Sequence, residues 1–155
     1  MRVYRLCSPK HAKSAIDGEG ARLFGGRWNP RGHAMVYTSE HLSLAVLEVL
    51  VHLEPTQLRP ARVAVAVDIP DRDVESIESS ALPKSWRGSR AQRALQNLGL
   101  NWLREKRSLA LRVPSAVIPQ EYNVLLNPAH PRHARLSPEQ GEPFSFDPRL
   151  FRFPA

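Results

Sequence analysis

Three side chains that can carry chemistry lie close together in the first third of the chain. They are the guanidinium of Arg27, the phenol of Tyr37 and the carboxylate of Glu48. An arginine that follows two glycines can reach a phosphate and bind it through two parallel hydrogen bonds. A tyrosine can line a pocket, stack on a flat ring and offer its hydroxyl. The residue types and the glycine pair before them favour a functional site.

The elements around these residues predict how they are positioned. The glycine pair at 25–26 allows a sharp turn or a close approach of the backbone to a ligand. An apolar run at 34–37 predicts a buried strand, and Thr38 or Ser39 can cap the helix that follows. That helix, within 42–53, carries an apolar stripe at helical spacing and more apolar residues outside the stripe, which indicates a buried helix.

Glu48 lies on this apolar helix, where ionised carboxylates are uncommon. Burying it unpaired would cost several kcal/mol, so the fold must supply a partner, a cavity or water. One interpretation is a structural pair with His52, one turn further on, and the other is a functional role. Arg27 can likewise be an ordinary basic residue, and Tyr37 a core tyrosine with a satisfied hydroxyl.

Longer motifs carry a resemblance to a known family. They are Gly18-Glu19-Gly20-Ala21, Gly25-Gly26-Arg27-Trp28-Asn29, Gly32, Val36-Tyr37-Thr38-Ser39, Ala45-Val46-Leu47-Glu48, Val113-Pro114-Ser115 and Asn123-Val124-Leu125-Leu126-Asn127-Pro128-Ala129-His130-Pro131. With these motifs the chain resembles the RES domain family, which is named for its arginine, glutamate and serine. The resemblance covers nearly the whole chain and implies a single RES domain over 1–155.

The resemblance also implies a fold and a site. The expected fold is α+β, a single compact domain with short-stranded split sheets and a few helices, similar to ADP-ribosyltransferases. The implied catalytic residues are Arg27, Tyr37 and Glu48, and the implied NAD⁺-binding residues are Arg27, Trp28, Tyr37, Ser115 and Asn123. NAD⁺ is expected as a substrate, with no cofactor and no metal. No Gly-x-Ser-x-Gly elbow surrounds Ser115, which therefore fits a hydrogen-bonding role better than that of a nucleophile.

The family supplies the toxins of RES–Xre toxin–antitoxin pairs, so the resemblance implies a cytoplasmic toxin with an Xre-type DNA-binding antitoxin as its partner. Such toxins cleave the nicotinamide–ribose bond of NAD⁺ and pass ADP-ribose to phosphate, water or a protein. One departure from the family pattern is Val124, where an aromatic residue is more usual after the asparagine; here Tyr122 precedes that asparagine instead. This departure affects the pocket wall and leaves the implied triad intact.

Composition keeps two alternatives open. The 155 residues include 22 Lys+Arg and 15 Asp+Glu, for a net charge of +7, which favours anionic partners. An RNase-type toxin or RNA binder is one alternative, and an inactive module that only binds an antitoxin is the other. No basic stripe interleaved with aromatic residues supports direct nucleic-acid binding. Neither a signal peptide nor a membrane span is visible in the sequence. Proline at 131 breaks any helix between His130 and His133, which argues against a zinc site there.

The rest of the chain predicts short strands, one more helix and loops. Ser89 can cap that helix, which Gly99 is expected to interrupt. The predicted strands are 3–6, 62–69, 74–77, 109–113, 116–118, 124–126 and 144–146, and the predicted loops are 55–60 and 128–142.

Overall fold

The computed structural model describes residues 1–53 and 61–151. Within these residues the chain forms seven strands and three α-helices, joined by loops and short 3₁₀ turns. In chain order they are β1 (Arg2–Cys7), α1 (Glu19–Phe24), β2 (Val36–Ser39), α2 (Leu42–Leu50), β3 (Arg62–Asp68), β4 (Val74–Ser76), α3 (Gln92–Glu105), β5 (Ala110–Pro114), β6 (Tyr122–Leu126) and β7 (Glu142–Phe144). None of the described helices has the length and apolar character that crossing a bilayer requires.

The strands form one sheet in the order β4-β5-β6-β2-β1-β3-β7. Its pairs are antiparallel except β4 with β5, which run parallel. The predicted α+β class is confirmed, and the strands share a single sheet where the sequence suggested split sheets. The strand β3 lies between β1 and β7, and Val63, Val65 and Val67 on one of its faces pack into the core.

Side chains alternate between the two faces of the sheet, as the period of two requires. One face carries an aliphatic cluster that includes Val3, Val36, Val65, Val67, Val124 and Leu126. The opposite face carries a cluster with aromatic residues, and α3 packs onto it through Leu95, Trp102 and Leu103. Tyr37 packs against this second cluster, so α3 and the implied site lie on the same side of the sheet.

The helix α3 runs without a break through Gly99, where the sequence predicted an interruption. A Cβ at this position would collide with the backbone carbonyl of Trp28. The glycine is therefore required by packing: without a side chain, α3 can approach the loop that carries Trp28 and Arg27. The predicted cap at Ser89 is also wrong, because Ser89 begins a 3₁₀ turn and its side chain caps nothing.

The strand β2 lies two residues further along than predicted and includes Thr38 and Ser39. Neither residue caps α2. The N-cap residue is His41, and its side chain makes no capping hydrogen bond. The Thr38 hydroxyl donates instead to the carbonyl of Val124 on β6, and Ser39 donates to Asn123. Both polar side chains were predicted as helix caps, and both serve cross-strand hydrogen bonds.

The helix α2 is less buried than its composition predicted. Only Leu44 and Ala45 are fully buried, the following residues are half-buried, and Val51 just after the helix is 56% exposed. Ala45 and Val49 of the predicted stripe line a cavity together with Val51, whereas Leu44 outside the stripe is fully buried.

The predicted strand at 116–118 is wrong, because these residues form a bend. The Ser115 hydroxyl accepts hydrogen bonds from the backbone amides of Val117 and Ile118, which turns the chain immediately after β5. The other strands occur within a few residues of their predicted positions. The predicted loop at 55–60 lies outside the described residues.

Candidate functional site

A cavity of about 820 Å³ opens between β1, β2, α1, α2, the loop after α1 and the loop before α3. Arg27, Tyr37, Glu48 and Asn123 all line it, although they are far apart in the sequence. Its volume is within the range of pockets that bind cofactor-sized ligands. The fold therefore brings the predicted triad and two of the other predicted residues, Trp28 and Asn123, into one concave site.

The carboxylate of Glu48 is held at one oxygen. Its Oε1 accepts hydrogen bonds from the Ser115 hydroxyl at 2.7 Å and from the side-chain amide of Asn123 at 2.5 Å. Within the described residues Oε2 has no hydrogen-bond partner, and no cation lies within ion-pair distance of the carboxylate. The alternative pair with His52 is not formed. Glu48 is thus oriented by neutral donors, and its second oxygen stays free.

Ser115 is fully buried and is not one of the residues that line the cavity. Its oxygen accepts hydrogen bonds from the backbone amides of Val117 and Ile118, both at 3.0 Å. Its hydroxyl donates a hydrogen bond to Glu48. The hydrogen bonds of Ser115 are all made within the protein, and its direct contact with NAD⁺ stays a prediction. Its role is to hold the glutamate, in agreement with the absence of a nucleophile motif around it.

Asn123 is held from its other end by Ser39. The Ser39 hydroxyl donates to the side-chain oxygen of Asn123 at 2.7 Å, while the amide nitrogen of Asn123 faces Glu48. The residues are cross-strand neighbours on β2 and β6. The sequence suggested only a helix cap at Ser39, because the pairing of strands 84 residues apart is invisible to local patterns.

The guanidinium of Arg27 is anchored to the loop that precedes α3. One terminal nitrogen donates to the backbone carbonyls of Trp86 at 3.0 Å and Arg87 at 3.1 Å. In the described part of the chain its other two nitrogens have no hydrogen-bond partner, and no carboxylate pairs with it. Arg27 is therefore both positioned and available to an anion in the cavity.

The hydroxyl of Tyr37 is already used within the protein. It accepts from the backbone amide of Trp28 at 3.0 Å and donates to the side chain of Asn29 at 2.7 Å. Burial raises the pKa of this phenol well above its usual value, although the hydrogen bonds and Arg27 oppose the shift. Contact of the Tyr37 hydroxyl with a ligand stays a prediction, and Tyr37 also lines the cavity with its ring held by these two hydrogen bonds.

The loop that carries Arg27 is fastened at several points. Gln96 on α3 donates to the carbonyls of Gly26 and Asn29 at 2.9 and 3.2 Å. A Cβ at Gly26 would lie 2.5 Å from the Tyr37 hydroxyl oxygen, so only glycine allows this approach. Gln96 had no sequence signal, because it lies on an amphipathic helix far along the chain.

Trp28 was predicted to bind NAD⁺. It belongs to the cavity wall, but its side chain is 2% exposed and packs in the aromatic cluster with Met35 and Trp102. The indole ring is therefore a core side chain, and the binding of NAD⁺ by Trp28 stays a prediction. The backbone amide of Trp28, which holds the Tyr37 hydroxyl, is its contribution to the site.

Arg5 is a site residue that the sequence did not single out. It lies in the middle of β1, lines the cavity and donates to the carbonyl of Tyr37 at 3.2 Å. Its Nε is buried and lacks a hydrogen-bond partner in the described residues. Burial lowers the pKa of this guanidinium. A charged residue inside an otherwise apolar strand was the available signal, since such residues are seldom buried unpaired.

The charged residues of the cavity wall are mainly cationic. Arg5, Arg27 and Arg87 line the cavity, and Glu48 is the one acidic side chain among the described lining residues. Low-dielectric walls concentrate the potential of such charges and attract anions. The site therefore suits a ligand with negative charge at one part and positive charge near Glu48 at another.

The chain is similar in sequence and fold to known proteins. The family model described as the RES domain matches residues 2–147. A protein named Toxin Res from Yersinia enterocolitica is 37% identical over 151 residues, covering 97% of this chain and 99% of that protein. A Prs ADP-ribosylating toxin from Sphingobium is 36% identical over 140 residues, covering 88% and 87%. A chain of the M. tuberculosis MbcT–MbcA toxin–antitoxin complex matches with a TM-score of 0.77 at 21% identity, covering 97% of this chain and 86% of that chain, which shows the shared fold.

Proposed function

Since the chain belongs to the RES domain family, we propose that it is the toxin of a toxin–antitoxin pair and consumes NAD⁺ by cleaving the nicotinamide–ribose bond. The observation that carries this proposal is the state of Glu48. Two neutral donors hold one carboxylate oxygen, and the other is unpaired in the described residues of a cavity with cationic walls. In the described residues no cation pairs with Glu48, so it is not half of a structural ion pair there.

Arg27 supplies the binding of the diphosphate of NAD⁺. The diphosphate is the dianionic part of the molecule, and the two nitrogens of Arg27 without a partner in the described residues are donors for it. Each hydrogen bond between charged groups contributes roughly 1.5–3 kcal/mol. The ring of Tyr37 offers a flat face for the nicotinamide, while its occupied hydroxyl keeps that ring in one orientation.

Glu48 supplies the chemical step. When the C1′–N bond breaks, its electron pair goes to the pyridinium nitrogen, nicotinamide leaves neutral, and positive charge develops on C1′ and the ring oxygen of the ribose. A carboxylate beside the ribose stabilises that charge and binds the sugar hydroxyls, as in other glycosyl transfers. Because Ser115 and Asn123 hold Oε1, the free Oε2 meets the sugar without reorganising.

The acceptor of ADP-ribose and the partner of the toxin belong to the same proposal. The carbocation is captured by phosphate, by water or by a protein side chain.

A free enzyme of this kind would drain the NAD⁺ of its own cell, so it requires an antitoxin, which we propose to be an Xre-type DNA-binding protein. The relatives named as toxins and the toxin–antitoxin complex support this assignment.

Incubation of the purified chain with NAD⁺ tests the proposal. We expect release of nicotinamide, and parallel reactions with phosphate, without phosphate and with cell extract plus labelled NAD⁺ would identify the acceptor. Expression of the chain alone should arrest growth with falling NAD⁺, and a gene encoded beside it should restore growth. Intact NAD⁺ with degraded RNA would instead support an RNase, and neither activity would support an inactive antitoxin-binding module.

A further inference from the structure

We propose that Ser39 is a positioning residue for the glycosidic cleavage, acting through Asn123 on Glu48. The inference rests on the proposed function and adds a residue that lies one hydrogen bond further from the reacting atoms. Three side chains form a directed chain: the Ser39 hydroxyl donates to the oxygen of Asn123, and the nitrogen of Asn123 donates to Glu48.

The carboxylate of Glu48 selects the direction of this chain, and Ser39 fixes its far end. A side-chain amide has a donor end and an acceptor end of nearly the same shape, so packing alone does not select between its two orientations. Oε1 of Glu48 accepts from the nitrogen of Asn123, and the Ser39 hydroxyl, 3% exposed, satisfies the oxygen of Asn123. Without that hydroxyl, the oxygen of Asn123 has no donor within β2 and β6, and the amide is held at one end only.

The orientation of Asn123 determines which part of Glu48 faces the cavity. Two donors on Oε1 fix the carboxylate, because Ser115 alone leaves it free to turn about its last torsion. An amide held at one end only can turn and would donate to Oε1 with poorer geometry. The Ser39 side chain therefore keeps Oε2 directed at the ribose, and its removal should lower kcat with little change in the KM for NAD⁺.

A double-mutant cycle on nicotinamide release tests this coupling. Ser39→Ala should lower kcat about tenfold, the scale of one lost hydrogen bond. In an Asn123→Ala background the same change should have an effect of about twofold or less, since the residue through which Ser39 acts is gone. Ser39→Thr keeps a hydroxyl and should restore most of the activity. Ser43→Ala, on the exposed face of α2, is the matched control and should behave as wild type.

A measurement independent of turnover separates this inference from the proposed function. In ¹⁵N-labelled protein the side-chain NH₂ of Asn123, assigned by its loss in Asn123→Ala, should exchange slowly with water and shift on Glu48→Gln. Both properties should disappear in Ser39→Ala with the melting temperature largely kept. If wild type releases no nicotinamide but these signals behave as expected, the proposed function fails and the positioning stands. Unchanged Asn123 signals in Ser39→Ala, or a tenfold kcat loss that persists in the Asn123→Ala background, would overturn the inference.

Discussion

The hydroxyl of Ser115 donates its hydrogen bond to the carboxylate of Glu48. Both lone pairs of the serine oxygen accept backbone amides, from Val117 and Ile118, and its proton lies toward Oε1 of Glu48 at 2.7 Å. The bend after β5 therefore acts as a fixed donor for a carboxylate on α2. A serine in this position orients a neighbouring anion and does not attack a substrate.

Replacement of Glu48 by glutamine distinguishes a catalytic carboxylate from a structural one. Glutamine can keep the two hydrogen bonds through its oxygen but cannot balance an oxocarbenium ion. We expect nicotinamide release by Glu48→Gln to fall at least about 10²-fold, the scale of one preorganised electrostatic group. Its melting temperature should equal or exceed that of wild type, because a partly desolvated anion without a cation opposes stability. Early melting with normal turnover by the folded fraction would identify a structural residue.

The conservative change Arg27→Lys should impair use of NAD⁺ although the charge remains. The guanidinium uses one nitrogen on the carbonyls of Trp86 and Arg87 and keeps others for a ligand, whereas a lysine ammonium cannot satisfy both from one planar group. We expect a KM for NAD⁺ raised about tenfold or more, the worth of one charged hydrogen bond. Circular dichroism should report an unchanged fold.

Arg72→Lys serves as the control for Arg27→Lys, because Arg72 is an exposed arginine away from the cavity lining. It should leave the kinetics unchanged. A KM for NAD⁺ in Arg27→Lys equal to that of this control would remove Arg27 from the binding site.

The two glycines at 20 and 26 should respond in opposite ways to alanine. A Cβ at Gly26 would lie 2.5 Å from the hydroxyl of Tyr37, so Gly26→Ala must displace that ring or its loop. We expect a loss of about 1–3 kcal/mol in the free energy of unfolding, typical of overpacking, together with lost activity. A Cβ at Gly20, in α1, meets nothing within 4 Å, and Gly20→Ala should keep or raise stability. Urea unfolding of both variants measures the contrast, and equal effects would contradict the close approach at Gly26.

The buried phenol of Tyr37 should make the fold sensitive to alkali. Its pKa is raised in the folded protein, mainly by burial, above the unfolded value of about 10. Above that pH the unfolded chain loses the proton while the folded chain keeps it, so rising pH favours unfolding. Stability measured from about pH 8 to about pH 11 should fall at the alkaline end. Tyr37→Phe should lose less of its free energy of unfolding at alkaline pH than wild type does, although its stability at neutral pH is lower. Equal alkaline slopes would show that Tyr37 ionises normally.

Much of the fold and of the site could be predicted from local sequence patterns. The α+β class, the strand β3 and the residues Arg27, Tyr37 and Glu48 follow from hydrophobic periodicity and from motifs that resemble the RES domain. These features depend on neighbours in the chain, and periodicity reports such neighbours directly. The errors in α2 and α3 have a different origin. An apolar helix can face a cavity as well as a core, and a glycine can serve close packing instead of a break.

The roles of the site residues depended on the tertiary structure. Ser115 and Ser39 were expected to contact ligand and to cap a helix, and both orient Glu48, directly or through Asn123. Arg5 entered the site only when β1 was placed beside β2. A hydrogen bond between strands 84 residues apart depends on sheet order and register, which arise from the packing of the whole chain. The sequence determined which chemical groups are present, and the fold decided which of them face the ligand and which hold the others in place.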